Sequence, residues 1–289
     1  MGRIVYSKQN ADETVDTLRG KKFLGVDKDG VLIDLRELVY IHKKNGFEKY
    51  GIKLDYDKEA TYRILGVHGF TRGSASFIAF LAFDKWFDDK KPVGTTKNEA
   101  MKKLLRRPDA HTQLNGIISR YMKDSDIKLA EEITEWDKGR TFEAEEFAQY
   151  VKSCNKAKDA FINLANFYNG NIAIITNTRK LETVKRDLGV IGFSASEIGS
   201  LVIVHDAKKP SPEKFSSVIA AFSAAKGETA LVGDTVVDVN TAKNSGVTSV
   251  GVLSGASTLK DLKGENVDIV VKDLNALYGL IRPGRHWQF

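Results

Sequence analysis

The chain has 289 residues, 42% hydrophobic and 28% charged, with a formal net charge of +6. That is the balance of a globular protein long enough for one large domain or two ordinary ones. No run of 18 or more apolar residues occurs, which excludes a membrane-spanning helix, and the single cysteine, Cys154, excludes an internal disulfide framework. The start of the chain lacks a basic-then-apolar leader, and a lone thiol suits a reducing compartment. A cytoplasmic location is the expectation. Between Leu35 and Lys158, 24 Lys and Arg stand against 19 Asp and Glu; the remainder has 20 against 19. The excess basic charge is mixed with acids rather than blocked. Its one dense cluster, Lys102, Lys103, Arg106 and Arg107, reads as a solvated helix face, which argues against a nucleic-acid partner.

In chain order, residues 1–20 read as a polar lead-in with room for a short helix. A first strand runs from Lys22 to Val26. After Asp34 apolar residues recur at helical spacing for more than a hundred residues, as in Leu38, Ile41 and His42, or Phe77, Phe80 and Leu81. A break at Lys91 to Gly94 interrupts this pattern, and no strand is expected between Leu35 and Asn166. One long helical pattern spans Phe142 to Phe167. From Gly170 short apolar runs alternate with helices: strands at Asn171 to Thr176, Leu201 to His205, Ala230 to Gly233, Thr248 to Leu253 and Ile269 to Val271. Strands alternating with helices predict a parallel sheet. The expected fold is therefore α/β, a Rossmann-like doubly wound parallel sheet. An all-helical domain is inserted after its first strand: 1–34 and 160–289 form the core, 35–159 the insertion.

The first strand ends in Asp27-Lys28-Asp29-Gly30. Alternate side chains of an extended segment share a direction, so Asp27 and Asp29 can converge, and carboxylates at a buried strand end need a compensating cation or proton. Later strands end in Thr176-Asn177, in Lys209 ahead of Pro210, and in Gly233-Asp234 with Asp238 four residues on. Each alone reads as a cap, a turn or a surface lysine. Together, at successive carboxyl ends of one sheet, they gather carboxylates, a lysine and a hydroxyl where open α/β sheets bind ligands. Hard oxygen donors of this kind suit Mg²⁺.

These four motifs resemble those of the haloacid dehalogenase-like hydrolases, in the phosphatase branch with a helical cap after the first strand, similar to phosphoglycolate phosphatases. The resemblance implies a Mg²⁺-dependent phosphatase acting on a small soluble phosphomonoester through an aspartyl-phosphate. Asp27 would be the nucleophile and Asp29 the general acid and base. Thr176, with Asn177 beside it, would hold a phosphoryl oxygen, and Lys209 would neutralise charge. Asp27, the Asp29 carbonyl, Asp234 and Asp238 would serve the metal, Asp238 through water or by orienting the site. The cap turn Gly66 to Gly73 would bring His68 and Arg72 to the leaving group. Two other readings fit: a phosphosugar mutase of the same superfamily, and a non-catalytic protein that binds through a basic cap. The middle of the insertion, 84–120, and the tail from Arg282 have no assigned role. Lys28 is expected to point away from Asp27.

Overall fold

The run Phe23–Val26 forms strand β2 and is buried along its whole length, because a strand flanked on both edges and covered on both faces keeps no side open to water. It is preceded by an element that polarity concealed. Ile4–Ser7 forms β1, an antiparallel edge strand paired with Ile269–Val271. Helix α1, Ala11–Arg19, follows, started by a capping box in which Asn10 accepts from the Glu13 N–H and the Glu13 side chain returns the bond. The expected lead-in is thus a strand and a helix. The computed structural model describes residues 4–68, 74–107, 109–139 and 144–282, with backbone alone for 65–68, 137–139 and 144–146.

The chain divides into two compact units, Met1–Asp34 with Val151–Phe289, and Leu35–Tyr150. It leaves the first after β3, Ile33–Asp34, and returns at β4, Lys152–Ser153, and these two short strands pair antiparallel. The return therefore falls nine residues before the expected boundary at 159/160. The long helix expected over 142–167 is correspondingly two helices with β4 between them. Charge follows the boundary. Within 35–150 there are 21 basic and 19 acidic residues, against 23 and 19 in the rest. The helical unit is close to neutral, because Lys152, Lys156 and Lys158 belong to the other one.

The α/β unit continues with α9 (Ala157–Phe167), β5 (Ile172–Ile175), α10 (Leu181–Val190), α11 (Ala195–Ser200), β6 (Val202–Val204) and α12 (Glu213–Ala221). Then come β7 (Thr229–Gly233), α13 (Val236–Ser245), β8 (Thr248–Val252), α14 (Leu259–Gly264), β9 (Ile269–Val271) and α15 (Leu274–Ile281). The seven-stranded sheet has the order β1-β9-β8-β7-β2-β5-β6, parallel except for β1. From β2 the chain builds outward through β5 and β6, then restarts on the other side of β2 with β7 and builds outward through β8 and β9. The order reverses between β2 and β7, the position at which open α/β sheets form a ligand crevice. One core layer joins Phe23, Ala173, Ile175, Phe215 and Leu231. There Gly25 is required: a Cβ would lie 2.7 Å from the Phe215 ring.

The helical unit comprises α2 (Arg36–Lys49), α3 (Lys58–His68), α4 (Ser74–Lys90), α5 (Lys97–Leu105), α6 (Ala110–Tyr121), α7 (Asp124–Gly139) and α8 (Ala144–Tyr150). Its core is aromatic: Phe77, Phe80 and Phe83 of α4 pack among Phe47, Tyr56, Met101, Leu114 and Ile133. Phe47 meets Phe77 and Phe80 edge-on, with centroids 5.1 and 5.9 Å away. No helix among the described residues is long and apolar enough to cross a membrane.

Candidate active site

Backbone pairing carries the chemistry-bearing residues to one edge. The Asp27 N–H donates to the Val232 carbonyl at 2.8 Å, extending the β2–β7 ladder by one residue, and the Thr176 N–H donates to Val204 at 2.9 Å in the same way on β5 and β6. Asp27, Thr176 and Asp234 therefore stand at the carboxyl ends of three neighbouring strands. The lysine comes from the β6–α12 loop, where Asp206 and Lys208 hold left-handed backbone at φ 48° and 58°. Non-glycine residues in that region persist only where surroundings fix them. Asn177 is one such fixture. Its Oδ1 accepts the Lys209 N–H at 2.8 Å and its Nδ2 donates to the Lys209 carbonyl at 3.2 Å.

So held, Lys209 Nζ lies 2.7 Å from Asp27 Oδ1 and 2.5 Å from Asp238 Oδ1. The other oxygen of Asp238 accepts from the Thr235 N–H at 3.1 Å and hydroxyl at 2.6 Å. Both oxygens of Asp238 are thereby engaged, and the residue anchors the lysine. One oxygen from each of Asp27, Asp234 and Asp238 lies within 4.8 Å of the others. Asp234 Oδ2 accepts the Ala256 N–H at 2.7 Å, while its Oδ1 is buried without a hydrogen bond. Glycines make room for it. A Cβ on Gly30, which sits at φ +80°, would fall 2.2 Å from Asp234 Oδ2, and one on Gly255 would fall 1.9 Å away.

One lysine does not balance this many buried acids. Burial raises the Asp27 carboxyl to about 7, opposed by Lys209 and reinforced by Asp238 and Asp29. Burial, with Asp238 and Asp27, likewise holds Asp234 well above the usual carboxylate range. Lys209 loses by burial but gains more from Asp238 and Asp27, and is raised. Three close carboxylates, an orphaned buried oxygen and a cradle cleared of side chains fit a divalent cation with hard oxygen preference.

Asp29 differs from its neighbours. Its side chain is 30% exposed, against 9% for Asp27 and 2% for Asp238. Lys28 does turn elsewhere. Its buried ammonium donates to Asp187 of α10 and lies 2.8 Å from Asp29 Oδ1, outside hydrogen-bonding geometry. Burial would lower Lys28, but the charges of Asp29 and Asp187 more than offset it, and it is raised. Asp187 also meets Arg186 at 2.8 Å. Sequence gave no signal for Asp187, an acid in an ordinary helical pattern. The turn Ser254-Gly255-Ala256-Ser257, whose amide caps Asp234 and whose Ser254 hydroxyl donates to the Gly30 carbonyl at 2.7 Å, was findable as one more strand end. Thr176 is 1% exposed, and its hydroxyl accepts from the Thr178 N–H at 3.1 Å. His68 is the last residue of α3 with its side chain outside the described residues, and Arg72 lies outside them altogether.

Residues 207–277 match a family model described as HAD-hydrolase-like, a stretch that holds Lys209, Asp234 and Asp238. No curated protein matches the chain. Among solved structures, a predicted phosphoglycolate phosphatase from Haemophilus somnus 129PT is similar over 91% of this chain and 99% of its own, at 14% identity and TM-score 0.59. A protein from Lactobacillus delbrueckii subsp. bulgaricus, provisionally assigned as a phosphoglycolate phosphatase, covers 91% and 99% at 16% identity and TM-score 0.62. One from Thermotoga maritima, provisionally assigned as a beta-phosphoglucomutase, covers 89% and 97% at 17% identity and TM-score 0.53. At these identities the likeness to each is one of fold. The fold is shared with these structures, and the family match over residues 207–277 bears out the resemblance to haloacid dehalogenase-like hydrolases that the four motifs carry.

Proposed function

We propose that the protein is a Mg²⁺-dependent phosphatase of small soluble phosphomonoesters that works through an aspartyl-phosphate on Asp27. The observation that carries this reading is Lys209 Nζ set between Asp27 and Asp238, 2.7 and 2.5 Å away, at the switch point of the sheet. A carboxylate that attacks a phosphate dianion needs fixed positive charge on both partners, and Lys209 supplies it from a loop clamped by Asn177. Asp27 Oδ2 attacks phosphorus, the ester P–O bond breaks, and the leaving oxygen takes a proton from Asp29. Asp29 then removes a proton from the water that cleaves the acyl phosphate, returning Asp27 and releasing phosphate. The greater exposure of Asp29 suits a group that must meet both a leaving alcohol and water. Thr176, whose hydroxyl donates to Thr178 Oγ1 at 3.2 Å, would turn it to a phosphoryl oxygen.

Asp27, Asp234 and the Asp29 carbonyl would hold Mg²⁺, with Asp238 fixing Lys209 beside it. Bound there, the cation would neutralise phosphoryl charge and keep Asp27 ionised. Residues 35–150 would form the cap, and the glycine-flanked stretch with His68 and Arg72 its approach to the leaving group. A cytoplasmic location fits a soluble phosphorylated metabolite as substrate. The mutase reading uses the same residues and differs only in the acceptor. The helical unit is near neutral overall, which weighs against a non-catalytic role that rests on its net charge.

The deciding experiment is phosphate release from a panel of phosphomonoesters, with Mg²⁺ or with chelator, for wild type and Asp27→Asn. Release that needs Mg²⁺ and vanishes in the variant is expected. Equal release by Asp27→Asn would overturn the nucleophile, and transfer of phosphate to a sugar phosphate in place of release would select the mutase.

A further inference from the structure

The basic cluster at 102–107 and the unassigned middle of the insertion meet in one place. Lys102 and Arg106 turn toward α3, Lys102 to Asp57 at 2.5 Å and Glu59 at 3.1 Å, Arg106 to Glu59 at 3.7 Å. Lys103 and Arg107, one position along and again four apart, line the opposite side. There α5, α6 and the loop after α4 enclose an open cleft of about 850 Å³ that belongs entirely to the helical unit. Arg120 adds a third cation, and Trp86 and Tyr121 supply aromatic surface; none of the lining residues is acidic. The acids close by are Asp109, 3.3 Å from Arg107, Asp89, which accepts from the Tyr121 hydroxyl at 2.5 Å and pairs with Lys90 at 3.1 Å, and Glu99, which accepts from the hydroxyl of the lining Thr95 at 3.4 Å. Lys90, Lys103, Arg107 and Arg120 against Asp89, Glu99 and Asp109 leave the cleft with a small positive excess.

A second feature concerns its floor. Gly116 sits inside α6, where glycine costs a helix about 1 kcal/mol against alanine. Packing does not require it, since a Cβ there would meet nothing within 4 Å. Gly116 borders the open space of the cleft.

We propose that this cleft is a second ligand site, separate from the acidic centre, for a nucleoside polyphosphate. Lys103, Arg107 and Arg120 would take the phosphate chain, and Trp86 and Tyr121 the base. The volume falls within the range of small-molecule sites. This inference does not depend on the proposed phosphatase chemistry.

Calorimetric titration of the intact protein with ATP, in chelator so that no divalent ion serves the acidic centre, tests it. Binding is expected in wild type and in Asp27→Asn alike. It should weaken by about tenfold or more in Lys103→Gln/Arg120→Gln and likewise in Gly116→Leu, which fills the cleft without removing charge and favours the helix. Circular dichroism confirms that both variants fold. Absence of binding at millimolar ATP, binding unchanged in both cleft variants, or binding lost in Asp27→Asn would overturn the proposal. Tripolyphosphate binding as tightly as ATP would overturn recognition of the base.

Discussion

The two units of this chain place polar groups by different rules. In the α/β unit, position comes from the backbone: a parallel ladder carries Asp27, Thr176 and Asp234 to one edge, and each is then held by amides, glycine clearances or a clamped loop. In the helical unit, position comes from the period of α5 and its end, with Lys102 and Arg106 turned to one side and Lys103 and Arg107, just past the last turn, to the other. The first rule buries charge among fixed partners, where each group is costly to disturb. The second leaves charge in water, where each contributes little. Single substitutions should therefore be felt sharply at strand ends and weakly on helix faces.

The largest effect is expected for Asp27→Asn. Phosphate release should fall by about 10³-fold or more if Asp27 forms the covalent intermediate, with the far-ultraviolet spectrum and cooperative unfolding retained. Next is Lys28→Met, which takes from Asp187 its one buried cation and leaves it the partly exposed Arg186. Breaking one side of a buried pair costs about 3 to 5 kcal/mol, measured as a shift in denaturant midpoint. The double variant Lys28→Met/Asp187→Leu should recover most of that loss, since it removes both charges. A double variant as unstable as the single would show that the cost lies in packing, and the contrast between units would lose its electrostatic basis.

Gly255→Ala probes the same edge through space alone. Its Cβ would fall 1.9 Å from Asp234 Oδ2, so the turn or the aspartate must move, at about 1 to 3 kcal/mol. Its more specific signature concerns metal. Mg²⁺ should raise the thermal midpoint of wild type by relieving the repulsion that lifts Asp27 and Asp234, and this increment should shrink in Gly255→Ala. An undiminished increment would place the cation away from Asp234.

What could be read from sequence divides along the same line. Strand ends were legible because an apolar run stops on a polar residue only where the sheet meets water or ligand, so the positions of Asp27, Thr176 and Asp234 at strand ends, and of Lys209 in the loop after one, could be read in advance. β1 was not, since Ile4–Ser7 is an edge strand whose side chains are only partly buried, and its pattern resembles a polar lead-in. β4 was hidden because two residues are too few to show a period of two. Asp187 and Asn177 show a further limit. A partner supplied by tertiary contact, such as Lys28 for Asp187, leaves no trace in local spacing, and neither do the bonds that the amide of Asn177, expected beside the phosphoryl group, makes to the backbone of Lys209.

The smallest effect should come from Asp57→Asn in the helical unit, and it tests the comparison from the other side. Asp57 starts α3, its Oδ1 accepting the Ala60 N–H at 2.9 Å, and it meets Lys102 Nζ at 2.5 Å. Partial burial raises its carboxyl, but the bonds from Ala60, Lys102 and Asn98 outweigh that and hold it below the ordinary value of 3.8. A depressed folded-state value adds stability that is complete above the unfolded one and is lost as pH falls through the folded one. Asparagine with its oxygen on the Ala60 N–H keeps the cap and loses the charge together with the bond that Asp57 Oδ2 accepts from Asn98 Nδ2 at 3.0 Å. Wild type should exceed the variant by about 0.5 kcal/mol at neutral pH, and the gap should close below pH 3.8. A gap as large as that of Lys28→Met, or one that persists in acid, would mean that charge on this helix is held as tightly as charge at the strand ends.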